Sequence, residues 1–253
     1  MPIHHLLPLL ASAKPRMLVA AAVTVRQAVR GAAPDRGRAL AHYGAMADSY
    51  ELRTLSGDQW RRQLVASLAP RPGEVILDVG CGTGRNFEQI QQGIGPDGRL
   101  IGIEQSPEML AQARALVQRC GWTNVELVCA GAEEARIPAT ADAALFCAVH
   151  DVMRSPAALA NVLQHVHERG RIVAGGAKWV PWRRSGAVSL NLSTWRLNRE
   201  CVSTFEGFQQ PWSCLGALVP DLHVEEMYFG GGYIASAGRS SSATGVLERR
   251  GAG

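Results

Sequence analysis

The sequence predicts an α/β fold built on a doubly wound, seven-stranded sheet that is mostly parallel, with helices on both faces. Three observations predict it. Strand-like and helix-like segments alternate from residue 75 onward, a glycine-rich turn directly follows the first strand, and Gly230-Gly231-Gly232 separates two strand-like runs near the C-terminus. The last pattern predicts an antiparallel hairpin. A chain of 253 residues, 47% of them hydrophobic, is long enough to bury such a core.

The parallel strands are predicted from short apolar runs, which are typical of strands buried on both faces. In chain order these runs are Val75–Val79, Leu100–Glu104, Val125–Cys129, Ala143–Val149 and Arg171–Gly175. The hairpin is predicted over Leu222–Phe229 and Tyr233–Ala237.

Helices are predicted between these strands, over about residues 84–92 and 156–166 and, most clearly, after Ser106. Ser106 can cap that helix, Pro107 suits its first turn, and Gly121 ends it. Outside the core, we expect a helical arm and lid over residues 1–50 and a disordered, glycine- and serine-rich tail over residues 238–253. Residues 51–237 then form the α/β domain, with an insertion at about residues 179–212.

The charge is distributed unevenly along the chain. Of the net +4, residues 1–40 contribute +5 and the tail contributes +2, which leaves −3 for the body between them. A slightly acidic body argues against a nucleic-acid partner, because such enzymes present a basic face. The basic arm, with an amphipathic pattern over residues 17–30, allows peripheral contact with an anionic membrane face; a solvated arm is the alternative.

The cysteines and the N-terminal residues indicate the cellular compartment in which the protein is expected. Six cysteines form no C-x-x-C pair and no Cys/His metal spacing, so we expect reduced thiols and no metal. The N-terminal apolar runs are too short or too interrupted for a secretory signal or a membrane span. The sequence therefore predicts a cytoplasmic protein.

Two acidic residues flank the glycine-rich turn and make it more specific than a general nucleotide loop. Asp78 lies in the first strand, two residues before Gly80, and can receive the ammonium group of an amino-acid moiety. Glu104 ends the second strand and can accept both hydroxyls of a ribose. The G-x-G-x-G spacing of Gly80, Gly82 and Gly84 also differs from the dinucleotide G-x-G-x-x-G. Together they predict a ligand with an amino-acid end and a ribose end.

Residues 74–84 resemble motif I of the class I S-adenosylmethionine-dependent methyltransferases. The resemblance implies S-adenosyl-L-methionine as the cofactor, with the motif I loop, the ribose acid and the segment beside the adenine as its contacts. It places these contacts at Asp78, Gly80, Cys81, Gly82, Gly84, Glu104, Gln105 and Met109. A further loop on the adenine edge corresponds to Ala132 and Glu133. The aspartate usual in the family is replaced here, since Gly131 precedes Ala132, and Glu133 is the expected contributor.

The acceptor is expected beyond the carboxyl ends of the strands. Ala148 and Val149 then lie beside the cofactor, and His150 can remove a proton from an acceptor hydroxyl or amine. The alternative is that His150 only packs beside the cofactor or caps the following turn. Asp151 can orient His150 or an amine acceptor. Residues 42–50 resemble the N-terminal lid of ubiquinone/menaquinone-type and small-molecule methyltransferases. That resemblance implies that Tyr43 closes over the cofactor or contacts the acceptor, and that Arg53 meets the methionine carboxylate; both can equally be ordinary helix residues.

The insertion concentrates aromatic side chains, since it holds four of the six tryptophans of the chain: Trp179, Trp182, Trp195 and Trp212. They can line an apolar acceptor pocket, meet a membrane interface, or form the core of an acceptor cap. The resemblance implies methyl transfer to a small-molecule or lipid-like acceptor by direct in-line displacement. The alternatives are a non-methylating reaction of the same fold, such as a cyclisation, and a non-catalytic binding module.

Overall fold

The structure is a computed structural model that describes residues 58–199, 202 and 204–238. The predicted arm and lid over residues 1–50 and nearly all of the predicted tail lie outside these residues. The elements are α1 (Asp58–Leu68), β1 (Val75–Val79), α2 (Phe87–Ile94), β2 (Arg99–Glu104), α3 (Pro107–Cys120), β3 (Val125–Cys129), β4 (Ala141–Cys147), α4 (His150–Met153), α5 (Pro156–Leu163), β5 (Val166–Ala177), α6 (Ala187–Asn198), α7 (Ser213–Leu218), β6 (His223–Met227), a 3₁₀ turn (Tyr228–Gly230) and β7 (Gly232–Ala237).

The strands form one seven-stranded sheet in the order β3-β2-β1-β4-β5-β7-β6. Strands β1 to β5 pair in parallel, and β7 pairs antiparallel with both β5 and β6. The order reverses between β1 and β4, where open α/β sheets bind their ligands. The predicted doubly wound sheet and its C-terminal antiparallel hairpin are therefore confirmed.

Successive residues of each strand face opposite sides of the sheet and enter two separate cores. Leu77 of β1 packs in one core with Phe146, and its neighbour Ile76 packs in the other with Leu145. Helices α1, α2 and α3 cover the Ile76 side, and α5 and α7 cover the Leu77 side. Burying a side chain such as Ile76, which has no exposed surface, contributes roughly 1.5–3 kcal/mol.

Helix α3 begins and ends where its sequence signals predict. The hydroxyl of Ser106 accepts a hydrogen bond from the Met109 backbone N–H at 3.3 Å. At the other end Gly121 adopts φ 68°, and its N–H returns to the carbonyls of Val117 and Gln118. These are the cap conformations for which serine and glycine are the favoured residues.

Several predicted boundaries were wrong by a few residues. Helix α2 starts at Phe87 and not at residue 84, because the chain is still turning through the glycine loop. Strand β4 ends at Cys147 and not at Val149, because Ala148 has φ 58° and leaves the extended conformation. Strand β5 is longer than predicted and starts at Val166, which pairs with Ala141 before an irregularity in β4. Helix α5 ends at Leu163.

Arg171, in the middle of β5, is hydrogen-bonded to the end of α1 and to Glu74. The side chain is buried and donates to the Leu68 carbonyl at 2.9 Å and to the Glu74 carboxylate at 2.8 Å. It also donates to the Ala69 carbonyl at 3.3 Å. One guanidinium thus satisfies both the last carbonyls of α1 and a buried carboxylate.

The segment after β5 folds as a small cap with an aromatic core of its own. Trp179 stacks on Phe205 with 5.2 Å between ring centroids, and Phe208 packs against both rings. Trp195 packs on this cluster, whereas Trp212 packs on Tyr233 of the main sheet and Trp182 is 48% exposed. The cap interior therefore accounts for two of the four tryptophans. Within the described residues, no helix is both long enough and apolar enough to span a bilayer.

Candidate cofactor site

The loop after β1 is held by backbone conformations that favour glycine. Gly80, Gly82 and Gly84 have φ angles of 68°, 56° and 85°. The N–H groups of Gly80 and Cys81 both donate to the Ile103 carbonyl, at 2.7 and 3.0 Å, so the loop is tied to β2. Left-handed conformations at three alternate positions explain why the sequence has glycine at each of them.

Two of these glycines also allow close packing. A Cβ added at Gly80 would lie 2.3 Å from Cγ1 of Val149, so the loops after β1 and β4 meet at this point. A Cβ at Gly84 would lie 2.8 Å from the ring of Phe87, which places Gly84 against α2. Gly80 and Val149, both predicted contacts, are therefore brought together, whereas Gly84 is required for helix packing.

Glu104 lies at the end of β2 and organises the same loop. One carboxylate oxygen accepts from the Gly82 N–H at 3.0 Å and the other from the Ser106 N–H at 2.8 Å. Burial raises the pKa of this carboxyl, and the backbone hydrogen bonds oppose that rise. The Gln105 backbone N–H also acts on this carboxylate, which has about four acceptor positions in all and can therefore still accept a ribose hydroxyl. Buried Met109 lies beside Gly82, and half-buried Gln105 follows Glu104.

Asp78 is completely buried beneath the loop. Both of its oxygens accept from Nδ2 of Asn86 at 3.0 Å. Burial raises the pKa of the Asp78 carboxyl to about 7, against the lowering effects of the Asn86 hydrogen bond and the Arg61 charge. The group therefore changes its ionisation near neutral pH, and a ligand ammonium placed beside it favours the carboxylate.

Arg61 and Asn86 are site residues that the sequence analysis missed. Arg61 reaches from α1 to Cys147 at the end of β4, with 3.4 Å between Nη1 and Sγ, and its charge acts on Asp78. Its buried Nε, Oδ1 of Asn86 and Oγ1 of Thr83 have no hydrogen-bond partner among the described residues. The position of Asn86 two residues after Gly84 was a usable signal. For Arg61 there was none, because only the packing of α1 on the sheet brings it to the site.

His150 lies in the first turn of α4 and contacts the cap. Its Nε2 lies 3.0 Å from the carbonyl oxygen of Glu206, so the proton sits on this nitrogen and is donated to the carbonyl. The ring meets Phe208 edge-on, with 4.2 Å between centroids. Burial lowers the pKa of His150 to about 4, with Arg154 adding to the effect and the Glu206 carbonyl opposing it. The imidazole is thus neutral at pH 7 and engaged with the cap through one nitrogen.

The remaining predicted residues lie at varied depths. Cys81 and Ala132 are buried, Ala148 and Glu133 are exposed, and Asp151 is half-buried in α4. Ala132 packs in the core on the Leu77 side of the sheet, and its carbonyl accepts a hydrogen bond from Nδ2 of Asn161 at 2.8 Å. Tyr43 and Arg53 lie outside the described residues.

The residues present fit a zwitterionic nucleoside ligand. Asp78 and Arg61 offer opposite charges at one point for an amino-acid end, with unpartnered donor and acceptor atoms beside them, and Glu104 offers a carboxylate one strand away. Among the described residues, no cluster of three or more His, Cys, Asp or Glu side chains could hold a metal ion. The opposite charges of Asp78 and Arg61 and the carboxylate of Glu104 suit the binding and orientation of an organic cofactor.

Comparison with known proteins shows which family the central part of the chain resembles. A family model described as a methyltransferase domain matches residues 76–170, which run from β1 into β5. Over residues 76–170 the chain is therefore similar to a methyltransferase domain, on a sheet of the order described above. The predicted resemblance is thereby confirmed, and S-adenosylmethionine is the cofactor of this domain class.

Individual relatives match over short segments. An arsenite methyltransferase of Halobacterium salinarum is 43% identical over 61 residues, 24% of this chain and 16% of that protein. A demethylmenaquinone methyltransferase of Symbiobacterium thermophilum is 42% identical over 60 residues, 24% of each chain. The chain spans about a third or less of the length of the curated relatives it matches first.

The fold is also shared with solved methyltransferases. A crystal structure of an S-adenosylmethionine-dependent methyltransferase from Aquifex aeolicus aligns with a TM-score of 0.54 and 14% identity. The alignment covers 76% of this chain and 96% of that one. At this identity the similarity concerns the fold, which extends beyond the residues that the family model matches.

Proposed function

We propose that the chain transfers the methyl group of S-adenosylmethionine to a small-molecule or lipid-like acceptor by direct in-line displacement. The observation that supports this most strongly is the pair of buried carboxylates, Asp78 and Glu104, at the ends of adjacent strands, with the left-handed glycine loop between them. Arg61 adds the cation that an amino-acid carboxylate requires.

The residues of the site act by positioning. When bound, the cofactor supplies a methyl group already activated by its positively charged sulfur. Glu104 can hold the ribose, while Asp78 and Arg61 can hold the two charges of the amino-acid end. Orientation and exclusion of water account for most of the rate enhancement that such a site can give.

The acceptor would enter beyond the carboxyl ends of β4 and β5, beneath the cap. His150 is the nearest candidate base, and Nδ1 remains as its proton acceptor because Nε2 carries the proton donated to Glu206. A pKa of about 4 makes it a weak base, so it suits an acceptor that needs only partial proton removal in the transition state. A His150→Gln variant that keeps its full rate and pH profile would remove this role.

The experiment is incubation of the full chain with S-adenosylmethionine carrying a labelled methyl group and a panel of phenolic, amine, quinol and lipid acceptors. We expect label in at least one acceptor and stoichiometric S-adenosylhomocysteine. Glu104→Gln should lose the activity, whereas Glu88→Gln, at an exposed position on α2, should keep it. Cofactor binding without transfer to any acceptor would favour the non-catalytic binding module, and acceptor conversion without label would favour a non-methylating reaction.

We further propose that the protein acts in the cytoplasm and touches the membrane through its basic N-terminal residues. The +5 charge of residues 1–40 supports contact with anionic lipids. Liposome sedimentation of the chain with and without residues 1–40 tests it. Equal sedimentation of the two forms would contradict a role of this arm.

A further inference from the structure

The turn that joins β6 to β7 displays two aromatic residues in an unfavourable backbone conformation. Tyr228 and Phe229 have φ angles of 51° and 57°, and they are 52% and 85% exposed. The left-handed region is costly for residues other than glycine and asparagine. Here two successive aromatic residues adopt this conformation, and the second is almost wholly exposed to solvent. Burial of its ring in the fold therefore does not offset the backbone strain.

The turn is nevertheless held firmly by polar contacts from two directions. Nη1 of Arg184 donates to the Phe229 carbonyl at 3.1 Å, and Nζ of Lys178 donates to the Gly230 carbonyl at 3.3 Å. The Tyr228 hydroxyl lies 3.3 Å from Oε1 of Gln63 on α1. Phe229 is therefore presented outward by a fixed backbone.

A second exposed segment adjoins this turn. Trp182 is 48% exposed and lies two residues before Arg184, which contacts the turn directly. Arg183 is also exposed, and Glu226, whose carboxylate lies beside Gly230, is paired with Lys178 and Arg184. We call Trp182, Arg183, Arg184, Tyr228 and Phe229 the aromatic patch. It combines three exposed aromatic rings with two arginines.

The aromatic patch lies at the same edge of the sheet as the cofactor site. Met227 pairs with Gly232, and Gly232 pairs with Ala177, the last residue of β5. Strand β5 runs parallel to β4, which ends at Cys147 beside Arg61. The turn therefore projects from the carboxyl edge, on the β6 side of the cofactor site.

We propose that the aromatic patch docks this edge of the protein onto an anionic lipid bilayer. Tryptophan, tyrosine and phenylalanine gain free energy at the boundary between headgroups and acyl chains, and the flanking arginines attract anionic headgroups. A protein partner that takes up these rings is the alternative, and the test below separates the two. The docking does not depend on methyl transfer. Only its consequence, that a lipid-like acceptor enters directly from the bilayer, rests on the proposed function.

The test is sedimentation of the full chain with vesicles of phosphatidylcholine alone and of phosphatidylcholine mixed with phosphatidylserine. We expect binding to the mixed vesicles and a fall in the partition coefficient of at least about tenfold for Phe229→Asn. Asparagine tolerates the left-handed conformation, so the variant should fold with an unchanged or higher thermal midpoint. Arg183→Gln should weaken binding only to the vesicles that contain phosphatidylserine.

Leu218→Ser is the matched control, because Leu218 is 45% exposed on α7 and precedes the end of β6 that is remote from the turn. It should bind like the native chain. Equal binding of native protein and Phe229→Asn would overturn the proposal and leave residues 1–40 as the lipid-binding element. Concentration-dependent self-association that Phe229→Asn abolishes, without loss of lipid binding, would also overturn it, since the patch would then be a protein interface. Neither measurement requires turnover, so failure here is separate from failure of the proposed activity.

Discussion

Replacing Asp78 by asparagine should stabilise the cofactor-free protein and weaken cofactor binding. Burial raises the pKa of Asp78 from its ordinary value of 3.8 to about 7, so folding disfavours the ionised carboxyl by about 4 kcal/mol above pH 7. Because the folded state binds this proton more tightly than the unfolded state, the native chain loses stability as pH rises from about 4 to 7. The introduced asparagine side chain has no charge to lose. Its Oδ1 can keep the hydrogen bond from Nδ2 of Asn86, or, after rotation of the Asn86 amide, its Nδ2 can donate to Oδ1 of Asn86, which has no partner in the described structure.

The measurement is urea unfolding of native chain and Asp78→Asn between pH 5 and pH 8. We expect the variant to be the more stable, and the difference in unfolding free energy to grow by about 2–3 kcal/mol over that range. Titration with S-adenosylhomocysteine at pH 8 should show the opposite order, with weaker binding by the variant, because the ligand ammonium loses its carboxylate. A variant that is less stable at pH 8, or a difference that does not change with pH, would refute the argument.

Three further predictions concern packing and backbone conformation. Arg171→Leu should lower the unfolding free energy by about 3–5 kcal/mol, since it leaves the Glu74 carboxylate and the carbonyls at the end of α1 without their donor. Arg99→Leu removes a half-exposed ion pair with Glu126 and should cost less than about 1 kcal/mol. Equal losses in urea unfolding would contradict this. Gly80→Ala should cost about 2–3 kcal/mol because its Cβ meets Val149, and Val149→Ala in the same chain should recover part of that loss, which calorimetry can measure. Phe229→Asn should leave stability unchanged or raise it by up to about 1 kcal/mol, because the left-handed strain is relieved and little burial is lost; a clear fall in thermal midpoint would show that the ring packs in the folded protein.

Much of the fold could be predicted because its signals are local. Helix α3 carries its own caps, the strands carry continuous apolar runs, and the three glycines separate the two C-terminal strands. The predicted end of a strand was wrong where one residue leaves the extended conformation within an apolar run. Ala148 is the example, because its left-handed φ ends β4 before Val149.

The residues of the candidate site also divide into those that the local sequence predicts and those that depend on tertiary packing. Asp78 and Glu104 could be found because both lie within about twenty residues of the glycine loop, in a spacing that the ligand dictates. Arg61 and the contact of His150 with Glu206 could not, because they depend on how distant elements pack: α1 against the sheet, and the cap against α4. Burial also changed the expected chemistry of His150, since a pKa of about 4 makes it a weaker base than a free histidine.

Calorimetric titration of the full chain with S-adenosylhomocysteine tests the cofactor site most directly. We expect saturable binding of one ligand per chain. Glu104→Gln should weaken it at least about tenfold, because a buried charged acceptor is lost, and Glu88→Gln should leave it unchanged. Thermal unfolding of the same samples separates loss of the site from loss of the fold. A folded native chain that binds no S-adenosylhomocysteine, or a Glu104→Gln variant that binds it as tightly as the native chain, would contradict the account.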